Sequence, residues 1–79
     1  MDELKALFSS QLCKLRKQQN LTQEQISELL SISPRCFQKW ENGESLPDFI
    51  HMLSLVHHLN FDMHAFAEEV FSNDILSAS

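Results

Sequence analysis

The sequence predicts a single, small all-α domain, and three observations lead to that fold class. Apolar residues recur at three- and four-residue spacing through five successive segments, which is the pattern of helices that bury one stripe. One glycine, two prolines and no tyrosine among 79 residues leave few turns and little β character. A hydrophobic content of 43% with 22% charged residues is typical of a globular chain. We therefore expect one compact five-helix domain over residues 1–79.

The first two helices are predicted from their apolar spacing and from a helix-start signal. The first helix has its buried stripe at Leu4, Leu7, Phe8, Leu12 and Leu15 and is expected to end near Gln19 and Asn20. Thr22 then precedes Gln25 by three residues, which is the spacing of a capping box at a helix start. The second helix would bury Ile26, Leu29 and Leu30 and end at Ser31.

The third helix is predicted to begin at Ser33 and Pro34, because serine caps helices and proline is favoured at the first helical position. Phe37 and Trp40 form its apolar side, and the Asn42–Gly43 pair is a typical helix end. Only three residues, 31–33, separate it from the second helix. The two helices must therefore cross steeply.

Two further helices complete the predicted chain. Asp48 caps the fourth, which Asn60 ends, and its inward residues are expected to be Phe49, Met52, Leu53, Val56 and Leu59. Asp62 caps the fifth, whose apolar residues are Met63, Phe66, Ala67, Val70 and Phe71. The predicted elements are all helical.

The short joint between the second and third helices suggests what the pair does. A helix-turn-helix uses this steep crossing to push its second helix outward into a DNA major groove. The geometry needs a small residue where the helices touch, and Ser27 stands there. It also needs apolar residues at a few places in the pair, which are Ile26, Leu30, Ile32, Phe37 and Trp40.

The segments "LRKQQNLTQEQIS" and "SISPRCFQKWENG", with the following "ESLP", resemble the lambda-repressor-like (Xre/Cro) helix-turn-helix family. The resemblance runs from about Phe8 to about Phe66 and implies a five-helix DNA-binding domain with a helix-turn-helix core at 22–43. It also implies a sequence-specific transcriptional regulator that reads the major groove with the helix 34–42. We expect it to be a repressor that occupies an operator in double-stranded DNA.

The resemblance assigns roles to individual positions. The expected DNA contacts are Gln23, Ser33, Pro34, Arg35, Gln38, Lys39 and Asn42. Arg16 and Glu41 match a family ion pair that joins the first helix to the end of the third. Arginine suits that role because its guanidinium can hold a carboxylate through two hydrogen bonds.

Three positions depart from the family pattern. Ser31 stands where glycine is usual, so the turn is expected to be strained or differently built. Pro34 replaces a polar reader and donates no hydrogen bond, which leaves base recognition mainly to Arg35, Gln38 and Lys39. Glu44 stands where relatives often place a basic residue, and this weakens the attraction to phosphate.

The charges divide sharply between the two halves of the chain. The net charge is −5, but all six basic residues lie in residues 1–40, against four acids, for a balance of +2. Residues 41–79 carry seven acids and no lysine or arginine. Such asymmetry predicts one surface for a polyanion and a second surface for something else.

The C-terminal tail, residues 70–79, is the candidate dimerisation segment. Val70, Phe71, Ile75 and Leu76 continue apolar character beyond what five helices need to close. A two-fold homodimer would set two reading helices about one DNA turn, ~34 Å, apart on a palindromic operator. The alternative is a tail that folds back over its own core.

Other classes of function find little support in the sequence. Cys13 and Cys36 have no metal-ligand spacing and no obvious disulfide role, so we expect reduced thiols in a cytoplasmic protein. The histidines lack an i, i+4 pair, and neither a catalytic triad pattern nor a glycine-rich phosphate loop occurs, so we expect no metal, no cofactor and no enzyme activity. "MDELKAL" is no secretory signal, and no apolar run approaches the ~18 residues of a membrane span.

A second function stays open on the same fold. The protein could be an interaction module, antitoxin-like or an anti-regulator, whose acidic C-terminal half binds another protein and which binds DNA little or not at all. Duplex binding that falls steeply with salt would favour the regulator. Co-purification with a protein, without duplex binding, would favour the module.

Overall fold

The computed structural model describes residues 3–72, which form five α-helices and, over that range, no strand. The helices are α1 (Glu3–Gln18), α2 (Gln23–Leu30), α3 (Pro34–Glu41), α4 (Phe49–Leu59) and α5 (Met63–Ser72). The predicted five-helix all-α fold is confirmed. Among these helices none combines the length and the apolar character that crossing a bilayer requires.

Side-chain caps begin α2 and α3 where the sequence predicts them. The Thr22 hydroxyl accepts the Gln25 N–H at 3.0 Å, and the Gln25 side-chain oxygen accepts the Thr22 N–H at 2.9 Å. The Ser33 hydroxyl accepts the Cys36 N–H at 3.1 Å, with Pro34 at the first helical position. Each cap satisfies a backbone N–H that the helix leaves without an internal partner.

Aspartates begin α4 and α5 in the same way. The Asp48 carboxylate accepts the His51 N–H, and the Asp62 carboxylate accepts the Ala65 N–H, each at 3.0 Å. The backbone N–H and then the imidazole of His51 lower the pKa of Asp48, because both stabilise its ionised form. The stabilising contribution of this cap is therefore present above the ordinary aspartate pKa and is lost as the pH falls through the lowered pKa.

All five helices contribute side chains to the core. It is formed by Phe8, Leu12, Ile26, Leu30, Phe37, Trp40, Leu55, Leu59, Phe61, Phe66 and Val70. Phe8, Phe61 and Phe66 pack as a ring cluster with centroid distances of 5.4–5.8 Å. Phe61, which follows α4 and is 4% exposed, belongs to none of the predicted helical stripes.

The buried face of α4 differs from the prediction. The inward assignment is wrong for Phe49, Leu53 and Val56, which are exposed. Leu55 and Leu59 are fully buried instead, and Met52 packs against the core. Residues 52, 55 and 59 also follow helical spacing, so an apolar helix like α4 offers two possible stripes and tertiary packing chooses between them.

Five more apolar residues were assigned to the core or to a dimerisation surface. Leu29, expected to be inward, is 44% exposed. Val70 is 3% exposed and packs in the core, so its assignment to a dimerisation surface is wrong. Phe71 is 66% exposed, while Ile75 and Leu76 lie outside the described residues, so their part in dimerisation stays a prediction.

The turn between α2 and α3 is built on a left-handed serine. Ser31 has φ 58° and ψ 42° and ends α2, with its N–H donating to the Glu28 carbonyl at 3.1 Å. The next residue, Ile32, donates its N–H to the Ser27 carbonyl at 3.0 Å. A non-glycine residue in this region costs about 1–2 kcal/mol, so Ser31 stores strain at the joint.

Replacing Ser31 with glycine is expected to stabilise the fold by about 0.5–1 kcal/mol, because glycine relieves the left-handed strain but loses more chain entropy on folding. Ser54→Gly is the matched control, since Ser54 lies inside α4 and the same change there should destabilise by a similar amount. Urea melts of both variants measure the difference. If the two variants destabilise equally, the turn is unstrained.

Candidate nucleic-acid interface

The outer face of α3 is polar, and its inner face is anchored in the core. Phe37 is 0% exposed and Trp40 3% exposed, and their rings meet edge to face at a centroid distance of 6.0 Å. Arg35, Gln38 and Lys39 are exposed on the opposite side. The anchored aromatic pair holds these three side chains on a rigid support, so they can meet a ligand with little loss of backbone entropy.

The α2–α3 contact depends on Ser27, as its small side chain predicts. Ser27 is 1% exposed, and its hydroxyl donates to the Gln23 carbonyl at 2.6 Å. Its polar group is thus satisfied within α2, and a larger side chain would push the two helices apart. α2 and α3 are in direct contact, as the helix-turn-helix prediction requires.

The predicted DNA contacts come together on one surface. One shallow depression is lined by Arg35, Gln38, Lys39, Asn42 and Glu44. A neighbouring groove is lined in part by Gln23, Pro34 and Gln38, so Gln38 belongs to both. Ser33 is exposed next to Pro34 and serves as the cap of α3. The geometry therefore unites residues from the start of α2 and along α3.

Two polar residues of the groove are not among the predicted DNA contacts. Asn20 and Thr22 line it beside Gln23, where the first N–H groups of α2 lie. A helix start attracts anions, but Glu24 in the first turn of α2 lines the same groove, and its carboxylate opposes the binding of a phosphate there. The capping box at Thr22 is the sequence feature that could have identified these two residues, because it places the start of α2 at this position.

Glu41 joins three helices beneath this surface. One of its carboxylate oxygens accepts from Nε of Arg16 at 2.7 Å, and the other accepts from Nε2 of Gln23 at 2.6 Å. Nη1 of Arg16 also donates to the Leu21 carbonyl at 2.9 Å. The Glu41 side chain is only 5% exposed and that of Arg16 16%. The end of α3 is thereby tied to α1 and to the start of α2.

The hydrogen bond from Arg16 to Glu41 raises the pKa of Arg16 above its ordinary value, against the opposing effect of burial. The guanidinium therefore stays charged throughout the range in which the protein is folded. Gln23 uses one amide hydrogen on Glu41 and retains a second, which is free to donate to a phosphate. Its position is compatible with the expected bridge between phosphate and α3.

Glu44 places a negative charge among the expected DNA contacts. Its carboxylate accepts from the Asn42 amide at 3.3 Å, and both side chains are exposed. Since Glu44 shares a depression with Arg35 and Lys39, it lowers the positive potential there. A carboxylate in a major groove can also accept from the amino group of cytosine.

No group of three histidine, cysteine, aspartate or glutamate side chains within residues 3–72 is arranged to hold a metal ion. Cys13 and Cys36 are free thiols that are partly buried. The surface that holds the expected DNA contacts carries hydrogen-bond donors, the exposed cations Arg35 and Lys39, and the carboxylates of Glu24 and Glu44.

Comparison with known protein families decides the family. A family model described as helix-turn-helix matches residues 14–66, more than half of the chain. The chain belongs to the helix-turn-helix family. The resemblance to lambda-repressor-like domains is thereby confirmed, and the match covers every predicted DNA contact of this helix-turn-helix chain.

A curated relative resembles part of the domain. The HTH-type transcriptional activator BcrR of Enterococcus faecalis is 44% identical over 41 residues, which are 52% of this chain and 20% of the relative. The chain thus matches about a fifth of the length of that relative. No solved structure gives a significant match to the chain.

Proposed function

We propose that this helix-turn-helix protein is a sequence-specific DNA-binding transcriptional regulator that reads the major groove with α3. The observation that carries the proposal is the outer face of α3, where Arg35, Gln38 and Lys39 are exposed on a helix anchored by Phe37 and Trp40. The family membership and the regulatory relative support the same function.

The exposed side chains suit distinct parts of a duplex. Arg35 can pair bidentately with guanine, and Gln38 can do the same with adenine. Lys39 offers a point charge to guanine or to the backbone. Gln23 and Asn42, at the two ends of this surface, can donate to phosphates and so set the register of α3 in the groove.

A dimer is part of the proposal, because α3 alone covers little DNA. Its eight residues span about 12 Å, which is a few base pairs. Arg16 is engaged by Glu41, so the reading surface of one chain contributes mainly Arg35 and Lys39 as cations. A two-fold dimer doubles the number of base pairs that are covered and the number of cations on the reading surface. It would recognise a palindromic operator with half-sites ~34 Å apart.

We further propose that the dimer acts in the cytoplasm as a repressor, because operator occupancy blocks transcription without any further contact. The free thiols of Cys13 and Cys36 suit a reducing compartment. The relative is named an activator, so repression by this protein needs a test of its own. A reporter behind the selected operator should lose expression when the protein is present, and a rise in expression would instead make the protein an activator.

Selection of bound duplexes from a random pool, followed by salt titration, tests the DNA-binding proposal. We expect a palindromic consensus and a log–log salt slope of about −3 to −4, as roughly four neutralised phosphates per dimer predict. A control duplex of scrambled sequence should bind weakly with a similar slope. Absence of any duplex binding, together with co-purification of another protein, would favour the interaction module, which the acid-rich residues 41–79 make the rival function.

A further inference from the structure

The outer face of α4 is apolar and exposed. Phe49 is 78% exposed, Ile50 65% and Leu53 48%, while Leu46 and Val56 are each 37% exposed at its margins. The helix has a second apolar stripe, through Leu55 and Leu59, that fills the core. The exposed stripe is therefore surplus to the packing of residues 3–72, and contiguous apolar surface of this kind usually marks an interaction site.

We infer that the α4 outer face, formed by Leu46, Phe49, Ile50, Leu53 and Val56, is the surface through which two copies of this chain associate. The inference rests on the proposed dimeric function and names the interface that serves it. We therefore place the centre of the dimer interface on α4, rather than on the C-terminal tail that the sequence predicted.

Charge is the first reason to choose a second copy as the occupant. The chain carries a net charge of −5, so two copies repel each other unless they meet at a neutral surface. α4 contains no lysine, arginine, aspartate or glutamate over its 11 residues, FIHMLSLVHHL. Asp48 directly precedes it, but its carboxylate accepts the His51 N–H and lies 2.6 Å from Nδ1 of that residue. In a two-fold dimer the same surface of each chain meets its copy, and an apolar surface can pack against its own copy without charge repulsion.

The exposed end of α5 is a poorer surface for self-association. Phe71 is 66% exposed there, but the exposed Glu68 precedes it by three residues, on the same side of the helix. A two-fold contact centred on Phe71 would bring the Glu68 carboxylates of the two chains towards one another. Like charges at an interface suppress association.

The composition of the α4 outer face also matches that of an interface. An exposed phenylalanine such as Phe49 offers most of an aromatic surface of ~150–250 Å². A stable dimer buries about 800 Å² per partner, with an apolar centre and a polar rim. Phe49, Ile50 and Leu53 would form that centre, and the exposed His57 and His58 would belong to the rim.

The position of α4 is compatible with DNA reading. None of the five residues of the α4 outer face lines either of the two depressions that hold the expected DNA contacts. The imidazole of His51 packs on the Trp40 ring at a centroid distance of 5.6 Å, which ties the start of α4 to the end of α3. A dimer built on α4 would therefore fix the two reading helices relative to one another.

Sedimentation of matched variants of the full chain tests this inference. Phe49→Gln and Leu53→Gln should each weaken dimerisation by about tenfold or more, as the loss of a central anchor does. Phe71→Gln is the matched control, because it removes an equally exposed phenylalanine outside the α4 outer face. A chain that ends at Ser72 is a second control, because it lacks Ile75 and Leu76. Both controls should dimerise as the parent does, and circular dichroism should show all variants folded.

Two results would overturn the inference: a parent chain that is monomeric at micromolar concentrations, or controls that dissociate while Phe49→Gln and Leu53→Gln remain dimeric. Binding of each protein to a duplex with one half-site distinguishes failure of the α4 dimer from failure of the proposed DNA binding. A monomeric parent that binds the half-site removes the α4 dimer and leaves DNA binding intact. A dimer that depends on Phe49 but binds no duplex supports the interface and contradicts the DNA-binding proposal.

Discussion

Replacement of Glu41 with alanine is expected to destabilise the fold by about 2–4 kcal/mol, because it leaves a largely buried arginine without its counter-charge. Both carboxylate oxygens are used, one by Arg16 at 2.7 Å and the other by Gln23 at 2.6 Å. Arg16 would keep its bond to the Leu21 carbonyl and a weaker interaction with Cys13, neither of which supplies a full counter-charge. The lower part of the range applies if water reaches the guanidinium, which is 16% exposed. Thermal and urea melts measure the loss.

The chain offers a matched control three residues away. Glu44→Ala removes the same carboxylate from an exposed position whose contact is one 3.3 Å hydrogen bond from Asn42, so its effect should stay within about 0.5 kcal/mol. Replacing Arg16 and Glu41 together with apolar residues should cost less than Glu41→Ala alone, because no unpaired charge remains. Equal, small shifts for Glu41→Ala and Glu44→Ala would show that the ion pair contributes nothing to stability.

Replacement of Arg35 with alanine is expected to lower the affinity for the selected operator by about 1–3 kcal/mol and to relax the preference at one base pair. The reason is the loss of a bidentate contact to guanine from an exposed position on α3. Lys39→Ala should cost affinity more evenly across sequences if the lysine acts mainly on phosphate. Binding titrations against the operator and its single-base variants give both quantities.

Arg35→Lys is the control that separates charge from geometry. It keeps the positive charge, so the salt slope should match that of the parent, but it cannot form the two-pronged contact, so discrimination at that base pair should fall. If Arg35→Ala and Lys39→Ala bind every duplex as the parent does, α3 does not enter the groove.

The helix boundaries were largely predictable because their signals are local. Thr22, Ser33 and Asp48 each accept a backbone N–H three residues ahead, and such a bond depends only on the identity and spacing of neighbours. For Ser31 the sequence left two alternatives open, a strained turn or a differently built one, and its φ of 58° shows the left-handed, strained form. Local chemistry specifies where these helices begin and end.

The candidate site was predictable in its membership but not in its connections. Helical spacing places Arg35, Gln38 and Lys39 on the side opposite Phe37 and Trp40, and the family pattern adds Gln23. The bond from Gln23 to Glu41 joins residues 18 positions apart, so it depends on how closely α2 and α3 approach. The depression that Glu44 shares with Arg35 likewise arises only when the chain beyond α3 turns back.

The sequence by itself determined the five helices, their caps and the polar face of α3, because each follows from neighbours within one or two helical turns. Tertiary structure alone decided which stripe of α4 is buried and whether Val70 faces the core or a partner. α4 has apolar residues around most of its circumference, so either stripe satisfies helical periodicity. Leu55 and Leu59, rather than Phe49 and Leu53, lie in the core cluster with Phe8, Phe37 and Phe66. Close packing of the core depends on the side chains of all the helices together, so a local sequence pattern cannot predict which stripe is buried.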